Sequence, residues 1–182
     1  MCCQVPEGGA NGAPGGVDAG NQEKEADADD IVLVTENGQS IRFTVKSLRA
    51  SSRTSGGVRG VRLEGPDKLV CMSVVIPNTY LLVVTVNGYG KLTPIEEYKT
   101  QRRGGVGIKT LKVTDKTGVV AAAKLVNQNQ QLMLISKDGK VISTPVKDED
   151  GGGIRVVGRN TQGVMVMNMD EGDLVAAIAA WE

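Results

Sequence analysis

Histidine is absent from all 182 residues, aromatics make up only 3% of them, and cysteine occurs three times, at Cys2, Cys3 and Cys71. Without histidine or a Cys-x-x-Cys pair the chain offers no ordinary zinc shell, and no imidazole is present to activate a nucleophile. Tyr80, Tyr89 and Tyr98 therefore read as packing or turn residues, and the acids Asp148, Glu149 and Asp150 as a solvated loop. There is no GxxxxGK[ST] segment to cradle a nucleotide phosphate, so no metal or cofactor is expected. Long apolar runs are missing too. The longest, Leu69 to Ile76 and Leu174 to Trp181, are too short to span a bilayer, and the amino terminus lacks the pattern of a secretory leader. These features imply a reduced, cytoplasmic setting without membrane contact.

With few aromatics and 24 glycines, the core must be built from Val, Leu, Ile, Ala and Met, a composition of short strands and tight turns. The formal net charge is zero, but it is unevenly spread. Residues 1–30 hold seven acids and one base, Lys24, for a net of −6, which leaves +6 for the remainder. Between Ser40 and Lys112 there are thirteen Lys or Arg against four acids, a local excess of nine. A basic block of this kind points to a polyanionic partner.

Residues 1–30 are rich in Gly, Ala and acids and contain almost no large apolar side chain, so they are expected to form a disordered tail or linker. From Ile31 the texture becomes repetitive. IVLVTENGQSIRF, LLVVTVNGYGKLT and LMLISKDGKVIST begin at Ile31, Leu81 and Leu132, and their turn glycines, Gly38, Gly88 and Gly139, lie 50 and then 51 residues apart. Each segment reads as a hairpin around a two-residue Asn-Gly or Asp-Gly turn. A third element recurs as GVRGVRL, GVGIKTLKV and QGVMVM, and a fourth as LVCMSVVI, VVAAAKLV and DLVAAIAA. Four strands per period of about fifty residues describe an all-β, propeller-like array of three four-stranded blades, at about 31–80, 81–130 and 131–182. The paired glycines beginning at Gly56, Gly104 and Gly152 occur in kelch repeats as well, but the Tyr and Trp that should follow are missing.

A longer polar loop separates the second and third strands of each repeat, and by symmetry these loops fall along one rim. They carry mostly arginine and lysine. The sharpest motif, QRRGGVG from Gln101 to Gly107, joins two guanidinium forks to glycines that would let backbone amides approach the same anion. The residues expected to meet a polyanion are Arg49, Arg53, Arg59 and Arg62 in the first repeat. The second supplies Lys91, Lys99, Gln101, Arg102, Arg103, Gly104, Gly105, Gly107, Lys109 and Lys112, and the third Arg155 and Arg159.

GYGKLTPIEEYKTQRRGGVGIKTLKVT closely resembles a repeat in the C-terminal domain of DNA gyrase A, and GRNTQGVMVMNMDEGDLVAAIA resembles the final repeat of that domain. ENGQSIRFTVKSLRASSRTSGGVRGVRL resembles the repeat preceding both. The related topoisomerase IV A protein, with a degenerate version of the domain, is the nearest alternative; a protein-interaction propeller is another. The resemblance implies a β-pinwheel whose neighbouring blades exchange strands, here the last three of six repeats, so half of a six-bladed domain. It implies a non-catalytic part of an ATP-dependent type II topoisomerase that wraps double-stranded DNA on its rim and supports negative supercoiling. Its partners would be the remainder of gyrase A and gyrase B, and its place the cytoplasmic nucleoid. Val106 stands where the family's box has a second base, and the principal box belongs to the absent first repeat, so QRRGGVG is a box-like copy. The three repeats alone are also compatible with a piece of a longer protein.

Overall fold

The computed structural model describes residues 29–147 and 152–182. Apart from its last two residues, the acidic segment expected to be a tail lies outside the described residues, as do Asp148, Glu149 and Asp150. The first strand begins at Asp30, one residue ahead of the expected boundary. Its carboxylate accepts a hydrogen bond from Arg42 Nε at 2.7 Å and another from the Thr100 hydroxyl at 3.1 Å.

Eleven short strands and two single-turn 3-10 segments are found among the described residues. The first repeat forms β1 (Asp30–Thr35), β2 (Gln39–Thr44) and β3 (Leu69–Val74). The second forms β4 (Tyr80–Thr85), β5 (Tyr89–Pro94), β6 (Ile108–Lys109) and β7 (Val120–Val126). The third forms β8 (Gln131–Ser136), β9 (Val141–Pro145), β10 (Val164–Met165) and β11 (Val175–Trp181). All three expected hairpins are present, with a different turn. Only the glycine is left-handed, at φ +75° for Gly38, +80° for Gly88 and +87° for Gly139, whereas a two-residue Asn-Gly turn would require positive φ at the preceding residue too. Gly38 N–H donates to Thr35 O at 3.1 Å, so Glu36 and Asn37 occupy the turn centre and the glycine forms the bulge that follows.

The strands assemble into three antiparallel sheets of order β3-β1-β2-β6, β10-β5-β4-β7 and β11-β8-β9. Each third element crosses to the preceding repeat. In β6, Ile108 pairs with Ser40 and Lys109 with Gln39; in β10, Val164 pairs with Gly90 and Met165 with Tyr89. This is the exchange a pinwheel requires. It alters two details of the four-strand expectation. The third sheet has three strands among the described residues, and the first repeat's GVRGVRL segment pairs as no strand among them.

One core lies between the first two sheets, around Val32, Val34, Leu81, Val83 and Leu111, and another between the second and third, around Leu82, Val84, Leu132, Leu134 and Met167. Leu81 to Val84 are completely buried, which explains why β4 reads as a continuous apolar run: the middle sheet has neighbours on both faces. The strand crossing is sealed by backbone groups. Gly38 O accepts from Thr110 N–H at 2.8 Å and Leu111 N–H at 3.3 Å, and Gly88 O accepts from Val166 and Met167 at 2.9 and 3.1 Å. A carboxylate braces two of the turns from outside: Asp67 accepts from Asn37 N–H at 2.9 Å, and Asp173 from Asp138 N–H at 3.1 Å.

A Cβ at Gly38 would stand 2.5 Å from the Leu111 carbonyl oxygen, closer than real Cβ atoms approach. Gly38→Ala is therefore expected to lose more than the ~1–2 kcal/mol of a left-handed alanine, because the first crossing must shift as well. Urea denaturation measures it, and a loss within that range would show that the close approach carries no energy.

Candidate nucleic-acid interface

The edges of the sheets are unlike one another. β3, β7 and β11 pack side by side, while β6 and β10 form the opposite edges of their sheets, so the basic loops leading into the third elements lie along the outer edge. Arg49, Arg53, Arg59, Arg62, Lys99, Arg102, Lys109, Lys112 and Arg155 are all exposed there or on the adjoining segments. Long exposed cationic side chains on such an edge can exchange water for phosphate oxygens at little structural cost; Arg62 also lies 3.9 Å from the Glu64 carboxylate. Lys46 and Lys147 are also exposed, at equivalent positions just after the second strands β2 and β9. Their place within the repeated polar loops was the available signal, obscured because the second repeat has Glu96 there.

The box-like segment divides its labour. Arg102 is free and exposed, but Arg103 is half-buried and its Nη1 donates to Arg59 O at 2.7 Å. Arg159, also half-buried, does the same one repeat later, with Nη1 3.4 Å from Lys109 O. These two arginines tie each loop to the third element of the repeat before it. Backbone groups of the glycines also bond within the protein: Gly104 N–H donates to Gly60 O at 2.7 Å, and Gly105 O accepts from Arg62 N–H at 2.9 Å. Gly107, at φ +89°, is required because a Cβ would run into Ser40 O where the strand crosses. The Gly104 amide is thus engaged within the protein, and Gly107 gives the crossing strand room to approach β2. Gln101 N–H donates to Arg42 O at 2.7 Å, and its side-chain nitrogen is buried without a partner.

Lys91 requires a correction. It points into the protein, fully buried, with its ammonium donating to Gly158 O at 2.8 Å, to Thr161 Oγ1 at 3.2 Å and to Arg159 O. Loss of hydration lowers its pKa to about 8; Glu97 opposes the shift and Arg159 reinforces it. Its expected role on the rim gives way to holding the third repeat's loop against β5. Tyr98 is buried, its hydroxyl hydrogen-bonded to Thr110 and its pKa raised by burial. Tyr89 lies beneath the Lys116 ammonium, 5.7 Å from ring centre to nitrogen. Tyr80 accepts from the Gln128 amide. Tyr80 and Tyr98 pack against the two cores, and the described residues include no group of three or more acids or cysteines placed to hold a metal ion. No helix among them is long and apolar enough to cross a membrane.

A family model described as the DNA gyrase C-terminal domain, beta-propeller, matches residues 29–75, 79–127 and 130–182. Over 152 residues the chain is 53% identical to the DNA gyrase A protein of Dehalogenimonas lykanthroporepellens, covering 83% of this chain and 19% of that protein. It is 44% identical over 153 residues to the DNA gyrase A protein of Mycolicibacterium smegmatis, covering 83% and 18%. The chain thus spans about a fifth of the length of the curated relatives it matches. A solved DNA gyrase A C-terminal domain superposes with TM-score 0.76 at 26% identity, over 86% of this chain and 52% of that one. A topoisomerase IV C-terminal domain, TM-score 0.76 at 20% identity over 85% and 47%, shares the fold.

The buried amine predicts a pH dependence. An unfolded lysine holds its proton up to about 10.5, the folded one only to about 8, so across that window the unfolded chain binds more protons and stability rises with pH. Lys91→Met should remove that rise in urea titrations at successive pH values between the two pKa values; an unchanged slope against pH would show that Lys91 does not carry it.

Proposed function

This chain belongs to the DNA gyrase C-terminal domain family, and on that premise we propose that it is a DNA-wrapping module of gyrase A. The main support is the recurrence of exposed basic side chains, Arg49, Arg53, Arg59, Arg62, Lys99, Arg102, Lys109, Lys112 and Arg155, on loops repeated at the sheet period. Phosphates spaced along a duplex are neutralised by such a series without any base being read. The released counterions offset a bending cost on the order of a few kcal/mol for a short site. In this reading recognition rests on backbone charge and deformability.

The excess lies in the first two repeats, so the duplex is held mainly by Arg49 to Arg62 and Lys99 to Lys112, with Arg155 extending the track. Arg103 and Arg159 contribute by fixing the loops, and Lys91 not at all. In this reading the chain supports negative supercoiling by the assembled enzyme, with the remainder of gyrase A and with gyrase B, while DNA cleavage and ATP hydrolysis occur elsewhere. The purified chain is expected to show neither activity.

Mobility-shift titrations with unrelated duplexes at several salt concentrations test the proposal. Binding should fall steeply with salt and equally for every sequence. Replacing Arg102 and Lys109 together with Ala should flatten the slope of log affinity against log salt by up to about 1.8, at about 0.9 per phosphate contact. Lys91→Met should leave the slope where it was. Unchanged affinity and slope in the Arg102, Lys109 double variant would remove the loops from the DNA path.

A further inference from the structure

The rim loop of the first repeat differs from the other two in what its hydroxyl groups do. In the second repeat's loop the single hydroxyl, Thr100, donates to the Asp30 carboxylate at 3.1 Å. In the third, Thr161 donates to Gly158 O at 2.9 Å and accepts from the buried Lys91 ammonium at 3.2 Å. Both hold their loops in place. The first repeat instead has four hydroxyls within five residues, Ser51, Ser52, Thr54 and Ser55. Among the described residues these bond only one another: Ser52 Oγ lies 3.1 Å from Thr54 Oγ1, and Ser55 Oγ donates to Ser51 Oγ at 2.9 Å.

The backbone of this stretch is tied down as little. Residues 49–59 are all exposed, and among the described residues the one backbone hydrogen bond made within 49–58 is local, from Ser55 N–H to Ser52 O at 3.1 Å. Firm attachment resumes at Arg59 and Gly60, whose carbonyls accept from the Arg103 guanidinium and the Gly104 amide. Gly56 and Gly57 stand before that anchor, and a Cβ at either would meet nothing within 4 Å. A segment with so few buried contacts opens at low cost, so it can be drawn out without disturbing the core.

Its charge is one-sided. Residues 37–63 contain no acid and six bases, Arg42, Lys46, Arg49, Arg53, Arg59 and Arg62. Arg49 stands three residues before Ser52, and Arg53 directly follows it. A serine preceded at that distance by arginine, in an exposed segment that can extend, suits a protein kinase with an acidic substrate groove, because the guanidinium fork pairs with carboxylates there. Ser51 and Ser55 have an arginine two residues ahead instead of three and are bonded to each other, which favours Ser52.

We infer that Ser52 is a phosphoryl-acceptor site for a basic-directed serine/threonine protein kinase, and that its modification weakens the duplex track; the second half rests on the DNA-wrapping reading. In the transfer the Ser52 hydroxyl oxygen bonds the γ-phosphorus of a nucleoside triphosphate, the bond from that phosphorus to the β,γ-bridging oxygen breaks, and the nucleoside diphosphate leaves. The hydroxyl proton passes to the kinase's carboxylate base. The new group carries about −1.5 to −2 charge at neutral pH. It stands between Arg49 and Arg53, whose guanidinium groups then pair with it in place of DNA phosphate.

Incubation of the 182-residue chain with ATP and the catalytic domain of a basic-directed serine/threonine kinase, followed by mass spectrometry, tests the site. One phosphoryl group is expected, on Ser52, with none in Ser52→Ala and little in Arg49→Ala. In mobility-shift titrations the phosphorylated chain should show a slope of log affinity against log salt flatter by up to about 1.8, two contacts at about 0.9 each. Unmodified Ser52→Ala should keep the wild-type slope. A kinase that modifies its model peptide but leaves this chain untouched, or modifies another residue in place of Ser52, overturns the site. An unchanged slope after stoichiometric phosphorylation overturns the regulation. A chain that takes the phosphoryl on Ser52 but binds DNA in neither form confirms the site and removes the DNA-wrapping reading, and the regulation with it.

Discussion

The crossing of each third element into the preceding sheet is the constraint on which the rest depends. In the first two sheets the last edge is supplied by residues 68 and 74 positions further along the chain: Ser40 pairs with Ile108 and Gly90 with Val164. The contact has no slack, because backbone meets backbone. Side chains at Gly38, Gly88, Gly107 or Gly163 would separate the very groups whose hydrogen bonds define the junction. Core residues such as Leu111 and Met167, fully buried between sheets, then follow from where the crossing delivers them.

Much of this was legible from the chain. The spacing of Gly38, Gly88 and Gly139, with apolar runs before and after, located the hairpins, since alternation and turn chemistry are local properties. Strand exchange was not legible from pattern alone: GVGIKTLKV looks the same whether it returns to its own sheet or joins another, and it entered only through family resemblance. The turn type was misjudged for a related reason. Asn-Gly is compatible with both a tight mirror-image turn and a turn with a glycine bulge, and the braces from Asp67 and Asp173 are distant in sequence.

The rim was legible as charge and poorly legible as geometry. Exposed Arg102 and half-buried Arg103 are adjacent and chemically identical, yet one faces solvent and the other spans two loops. Lys91 shows the same limit. In GYGKLT it follows the strand alternation of a solvent-facing base, but the third repeat's loop folds over it and supplies three oxygens. A glycine-rich basic motif can therefore be a structural seal and a charged surface at once, with glycines and one arginine serving the seal.

Strand exchange also sets a direction in time. The first sheet takes its fourth strand from Ile108–Lys109 and the second from Val164–Met165, so neither of these two sheets can be completed until much of the following repeat has left the ribosome. Domains made from the amino terminus onward at ~5–20 residues per second leave such an edge open for seconds. Each nascent blade thus waits, half-built and sticky, for a segment of its successor, and pauses in translation between residues 44 and 108 would prolong that exposure.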